Sequence, residues 1–332
     1  MGHVITFSEP VRVLSHAAVA GREEFRGPLG PLFDYHDESD RFGAATWEKA
    51  EGALGGMALN LALKRAQLSH TALDLLLAGD LQNQCVASAG GLCGFGAPYF
   101  GLYGACSTFA QGLLLGALCL TAARPISRVG VVSTSHNAAA ERQFRLPLEY
   151  GGQRTPTAQW TATAGGCLLL ERGRHGVCLT AGMAGRMVDS GVSDAANMGA
   201  GMAPAAADSL CRWFEETGER PEDYDAVITG DLGREGSAIL ADLLAMRGRA
   251  TAGRHRDCGM LLYDSAQQDV HAGGSGCGCC AAVTAAYFLP LLQRAELRRV
   301  LLMATGAYMS QGSLQQGGSI IGIAPIVRME VL

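Results

Sequence analysis

Charge is scarce in this chain of 332 residues, where 17% are Asp, Glu, Lys or Arg and 48% are hydrophobic. So apolar a chain can bury a large core, which excludes global disorder, and its length suits two units or one duplicated unit. No run of basic residues is present and the net charge is −5, so there is no electrostatic footprint for nucleic acid and no such partner is expected. Residues 1–7 lack a basic segment followed by an apolar stretch, so no signal peptide is expected and the protein is expected to remain inside the cell. Residues 81–123 contain no charged residue, but Gly90, Gly91, Gly94, Gly96, Pro98, Gly101 and Gly104 interrupt them. A spanning helix needs about 20 unbroken apolar residues, so this segment reads as buried core. The chain is expected to be soluble without detergent, and peripheral membrane contact stays open. The eleven cysteines are odd in number, irregularly spaced and mostly inside apolar runs, which points to free buried thiols in a reducing compartment.

What is present is an internal repeat. Leu73-Asp-Leu-Leu-Leu-Ala-Gly-Asp80-Leu81 recurs in outline as Tyr224-Asp-Ala-Val-Ile-Thr-Gly-Asp231-Leu232. Each is a short apolar run between aspartates, the pattern of a strand buried on both faces with Gly-Asp at its carboxyl end. A helical pattern precedes each copy (residues 46–66 and 204–216), and a second strand follows each (128–135 and 299–306). Alternation of helices with apolar strands predicts an α/β protein of two duplicated βαβ-rich halves, with mostly parallel sheets packed about a pseudo-twofold axis. The halves are divided in the polar stretch 190–201, giving residues 1–190 and 191–332. Further strands are expected at 166–171 and 177–182, with an end hairpin at 319–331.

Three segments have the composition of a site. Gly104-Ala-Cys106-Ser-Thr108 leads into an apolar helix, which would place the Cys106 sulfur at a helix N-terminus, where unpaired N–H groups favour negative charge. His271-Ala-Gly-Gly274-Ser275-Gly276-Cys277 opens another apolar helix. Its glycines permit close backbone approach and an anion nest at Gly274 and Ser275. Cys277, Cys279 and Cys280 with His271 lack the spacing of a structural zinc site, so no metal centre is expected. Third, His136 follows the strand at 128–135, and strand carboxyl ends are where ligand groups collect in parallel sheets. A loop histidine satisfied by its neighbours is the plain alternative. Arg142 and Arg145 are candidates to pair with a ligand carboxylate, or are surface residues.

Taken together, Ala78-Gly-Asp80-Leu-Gln-Asn-Gln84, the Cys106 peptide, Ser135-His-Asn-Ala-Ala-Ala-Glu-Arg-Gln-Phe-Arg145, Ala203-Pro-Ala-Ala-Ala-Asp208 and Ala272-Gly-Gly-Ser-Gly276 resemble the stage V sporulation protein AD family. That family is a relative of the ketoacyl synthase III enzymes in spore-forming bacteria. The resemblance implies a thiolase-like fold, layered α/β/α/β/α, and binding of dipicolinic acid for uptake into the developing spore. It also implies a homodimer, association with the spore inner membrane from its surface, and partner proteins of a spore membrane channel complex. Its ligand-binding aspartate and cysteine fall on Asp80 and Cys106, whereas Gln111 stands where an acidic residue is expected.

A condensing enzyme of this fold sets its cysteine against a histidine and an asparagine. By the repeat, those positions fall near Gly230-Asp231-Leu232-Gly233 and Gly273-Gly274-Ser275, and neither residue is there. No catalytic residue is therefore expected, and Asp80, Cys106, His136, Gly274 and Ser275 are taken as ligand-binding. No cofactor is expected, apart from calcium arriving as part of the ligand. An acyl transferase using Cys106 and a structural docking subunit remain the alternatives.

Overall fold

The computed structural model describes residues 3–122, 125–144 and 153–332. Arg145 lies outside them. Ten strands form the frame: β1 (Ile5–Gly21), β2 (Leu75–Gly79), β3 (Tyr99–Gly101), β4 (Arg128–Ser135), β5 (Ala164–Arg172), β6 (Val177–Met183), β7 (Ala226–Thr229), β8 (His255–Asp257), β9 (Arg299–Met303) and β10 (Ile326–Val331). Their order is β8-β7-β9-β10-β6-β1-β5-β4-β2-β3, so β1-β5-β4-β2-β3 and β6-β10-β9-β7-β8 are two copies of one arrangement joined where β1 pairs with β6. Since β6 belongs to the second set, that set begins in the chain before residue 190.

Strand direction departs from the expectation of mostly parallel sheets. Among these ten strands only β3-β2-β4 and β8-β7-β9 are parallel, while β5, β1, β6 and β10 pair antiparallel with their neighbours in the order. β5 and β6 lie on opposite sides of β1 and both run against it, so the short connection between them carries the chain past β1 in one direction, and β1 is antiparallel to both. The expected end hairpin also divides. Ile321–Ile323 pairs with Gly306–Tyr308 and with Val188–Asp189, whereas β10 pairs with β9 and β6.

Alternation along the strands sets the layers. In β2, Leu75 and Leu77 join the central core, while Leu76 and Ala78 pack under helix α1 (Trp47–Arg65). In β9, Val300 and Leu302 join the same central core, and Leu301 and Met303 pack under α3 (Met198–Thr217) and α4 (Gly233–Met246). Between the two sets lie α2 (Thr108–Ala122) and α5 (Cys277–Val283). The result is α/β/α/β/α, and the side-chain period of two explains why both faces of each strand are apolar. With the turn before it, α2 is long and apolar enough to cross a membrane, yet most of that segment is buried in the protein.

Helix ends follow local chemistry. Thr46 caps α1 by accepting from the Lys49 N–H, and the chain leaves the helix at Ala66, as the sequence pattern suggests. Helix α3 starts earlier than expected, because Asn197 caps it by accepting from the Ala200 N–H and Pro204 is carried inside. A Pro favours a first turn without requiring one. Beyond α5 the backbone passes through a π turn at Thr284–Phe288. Pro290 has no N–H to return to the carbonyl four residues back, a cause for the widened turn.

The central layer depends on close contact between α5 and β5. A Cβ on Gly166 would sit 2.4 Å from the Ala281 carbonyl oxygen, a backbone atom that cannot swing away. Gly166→Val should therefore destabilise the protein by at least the 1–3 kcal/mol typical of overpacking. Urea denaturation measures this, and an unchanged midpoint would show that α5 does not lie against β5 as described.

Candidate functional site

Strand β7 ends at Thr229, and Gly230 then carries the chain into Asp231, whose side chain is fully buried. One Asp231 carboxylate oxygen accepts from Thr305 Oγ1 at 2.8 Å; the other accepts from the Gly276 N–H at 2.8 Å and from Ser275 Oγ at 3.3 Å. Gly276 is the residue before α5 and has φ +109°, and a Cβ there would meet Ser135 Oγ at 2.6 Å, so only glycine fits. Loss of hydration raises the Asp231 pKa to about 6, even though these hydrogen bonds oppose the rise.

Cys106 enters the same constellation from the other half. Ala105, held at φ +50°, turns the chain into α2 and leaves Cys106 buried, its Sγ 4.0 Å from Ser275 Oγ and hydrogen-bonded to Asp231. Burial first, and the Asp231 charge second, push the Cys106 thiol well above its ordinary value of 9. A group beside a buried carboxylate stays a thiol near neutral pH, the reverse of what an adjacent histidinium does in an activated nucleophile.

Above Cys106 and Ser275 opens a cavity of about 330 Å³. Glu141 and Thr161 line it, with the Thr161 hydroxyl donating to the Glu141 carboxylate at 3.3 Å, and so do Tyr103 and Tyr308. Gln111, the departure from the family pattern, donates its amide to the Tyr308 hydroxyl at 3.4 Å and so braces that wall. Among the described lining residues there is no Lys, Arg or His.

Of the five residues singled out from the sequence, Cys106 and Ser275 face this cavity and the other three do not line it. Asp80 lies one residue behind the wall. Its fully buried carboxylate accepts from the Gln82 N–H at 2.8 Å and the Ser88 N–H at 2.7 Å, fixing the turn that presents Leu81 to the cavity. Burial raises its pKa. Glu51, also fully buried, accepts from Gln82 Nε2 at 2.7 Å and from Thr134 Oγ1 at 3.4 Å; burial, then the Asp80 charge, lift it to about 8. His136 turns to the Asp40 carbonyl, 2.8 Å from its Nε2, and packs on the Trp47 ring at 5.5 Å between centroids. Burial lowers its pKa, so the neutral ring donates to that carbonyl. The Gly274 carbonyl accepts from Gln159 Nε2 at 2.8 Å, within the short strand that carries Ser275 to the cavity.

Arg142 pairs with Glu48 at the surface, 3.4 Å apart, and His271 with Asp269 at 3.0 Å. Among the described residues no group of three or more His, Cys, Asp or Glu is arranged to hold a metal ion. Asp231, Glu141, Tyr103 and Tyr308 are site residues that sequence reasoning missed. Only Asp231 had a signal, as the repeat equivalent of Asp80.

Two strand sets enclosing a pair of central helices, with a cysteine at the start of one, define a condensing-enzyme-like α/β/α/β/α protein. The cerulenin-bound OleA of Xanthomonas campestris shares this fold, with a TM-score of 0.63 at 13% identity, covering 97% of this chain and 98% of that one. 3-Oxoacyl-[acyl-carrier-protein] synthase III of Aquifex aeolicus does so with a TM-score of 0.56 at 14% identity, over 96% and 99%. The particular family is more specific. Residues 2–330 match the model for stage V sporulation protein AD, and the chain is 40% identical over 318 residues to the Bacillus subtilis protein of that name, covering 96% of this chain and 94% of the relative. The chain belongs to the stage V sporulation protein AD family.

The buried acids give the fold a pH signature. Glu51 at about 8, Asp231 at about 6 and Glu24 at about 7 all lie above the values of 3.8 to 4.5 that carboxyls have in an unfolded chain. The folded state thus holds extra protons in this window. That contribution is complete below pH 3.8 and is lost as pH rises through the folded values. Buried histidines such as His136, held below their ordinary value, act in the opposite sense up to about pH 6.5, so the melting temperature should fall between about pH 7 and about pH 8.5, and Glu51→Gln should flatten that fall. A melting temperature that rises over this range would contradict the assignment.

Proposed function

We propose that this chain is a non-catalytic binding protein for dipicolinic acid that supports its uptake into the developing spore, and that the cavity above Cys106 holds the ligand. The observation that carries the reading is the partner of the thiol: a buried carboxylate and a serine stand beside Cys106, where acyl transfer needs a base and an amide. A cavity of about 330 Å³ lies within the range of small-molecule sites, and the positive end of the α2 dipole beside it favours a carboxylate.

Tyr103 and Tyr308 offer flat apolar surface to a pyridine ring. The described lining carries acid and no cation, so on this reading the charge of a dianion is met by the helix dipole, by protons or by calcium chelated between its carboxylates and ring nitrogen. Asp80 supports the site by setting Leu81. An arginine in its place would remove the acceptor of two buried N–H groups, so Asp80→Arg would disturb the 82–88 turn as well as the cavity.

Family membership supports action in the forming spore, next to membrane partners and peripheral to its inner membrane. A homodimer is supported by the sheet edge: among the described strands β3 pairs on one side only, and its central residue Phe100 is 61% exposed. A bare apolar edge is a ready pairing surface. Sedimentation at micromolar concentration should give a dimer, and a monomer would exclude it.

Equilibrium titration of the chain with dipicolinate, with and without calcium, should give saturable binding at one site per chain. Cys106→Ala leaves the helix N–H groups in place and should weaken binding by about tenfold, or 1.4 kcal/mol. A radiolabelled acyl thioester should leave no stable label on Cys106. Stable acylation would favour the acyl-transferase reading, and the absence of binding in any condition would favour a docking subunit.

A further inference from the structure

Resting on that reading, we infer that binding of a carboxylate ligand at Ser275 is coupled to uptake of one proton by Asp231, which reverses the Asp231–Ser275 hydrogen bond and turns the serine hydroxyl toward the ligand.

The geometry has three parts. Ser275 is the link between the cavity and Asp231: its side chain lines the cavity, and its hydroxyl donates backward to Asp231 at 3.3 Å. While that bond lasts, the single hydroxyl proton is committed and Ser275 offers the cavity only lone pairs. Asp231 is fully buried, and among the described groups that face it there is no cation. Those groups are Thr305 after β9, Gly276 N–H and Ser275 before α5, Cys106 before α2, and Asp257 at the end of β8, whose charge opposes ionisation of Asp231. The buried thiols Cys277 and Cys279 stand within reach of its charge, and Glu141 lies on the cavity wall.

An anion arriving at Ser275 therefore meets acid on more than one side, and beside buried groups charges are poorly screened. Taking one proton from solvent onto the Asp231 carboxylate removes the nearest repulsion. It also creates an O–H that donates to Ser275 Oγ, so the serine proton becomes free to donate to the ligand. One proton is taken up and no bond other than these hydrogen bonds changes. The position of Asp231 near its titration point, at about 6, makes the uptake small in cost near neutral pH.

The test is calorimetric titration of the full chain with dipicolinate at about pH 7 in buffers of different ionisation enthalpy. The slope of observed heat against buffer enthalpy should report about one proton taken up per ligand, and the dissociation constant should rise about tenfold per pH unit above pH 6. Asp231→Asn keeps a neutral acceptor for the Gly276 N–H but has no carboxylate to protonate, so uptake should vanish and affinity should become independent of pH. Ser275→Ala removes the link, so affinity at low pH should fall at least tenfold with uptake lost. Binding by the wild type without proton exchange overturns the inference and leaves the binding reading intact, as does a pH slope retained in Asp231→Asn. Absence of dipicolinate binding by the wild type at every pH overturns the binding reading, and this inference with it.

Discussion

The two central helices of this protein begin at one place. Cys106 before α2 and Cys277 at the start of α5 belong to one small buried cluster with Leu81 and Ala140, so two sets of helix N–H groups converge where strands from both halves end. Unpaired N–H groups in a dry interior must find acceptors. Asp231 answers the N–H of Gly276 ahead of α5, while its repeat equivalent Asp80 answers the N–H groups of Gln82 and Ser88 in a separate turn that places Leu81 at the same point. The buried carboxylates, the raised thiol and the cavity all follow from that meeting.

The same constraint separates this site from that of a condensing enzyme. Such an enzyme needs its cysteine sulfur charged at the moment of attack, and it places a base beside it. Here the residue that reaches Cys106 from the second half is an acid, which stabilises S–H over the thiolate. What remains is a pocket whose electrostatics are set by a few titratable oxygens. Its affinity for an anion is a matter of proton and cation balance, more than of fixed positive charge.

The frame of the molecule was legible because it is repeated and because its strands are buried on both faces. Residues 73–81 and 224–232 announce β2 and β7, and the first helix ends within a residue of its pattern, at a Thr cap that sequence can display. Strand direction was not legible, since the apolar run of β5 reads the same whichever way its neighbour points. Within the site, Cys106 and Ser275 stood out through small-residue turns before apolar helices. His136 had an equally suggestive place at a strand end, but Asp40 and Trp47, far away in the chain, turn it into a structural contact. Tyr103, Tyr308 and Glu141 carried no local signal because only the fold brings them around one cavity. Asp231 was visible as half of a repeat, yet which of the two aspartates touches the cysteine depends on how the halves cross.

The central claim is that this cavity holds a planar dicarboxylate without covalent chemistry, and a crystal structure of the chain grown with dipicolinate tests it most directly. The account predicts the ring between Tyr103 and Tyr308, one carboxylate within hydrogen-bonding distance of Ser275 Oγ, and the Cys106 sulfur unmodified. A ligand bound elsewhere with this cavity empty, or density continuous with the Cys106 sulfur, would contradict it.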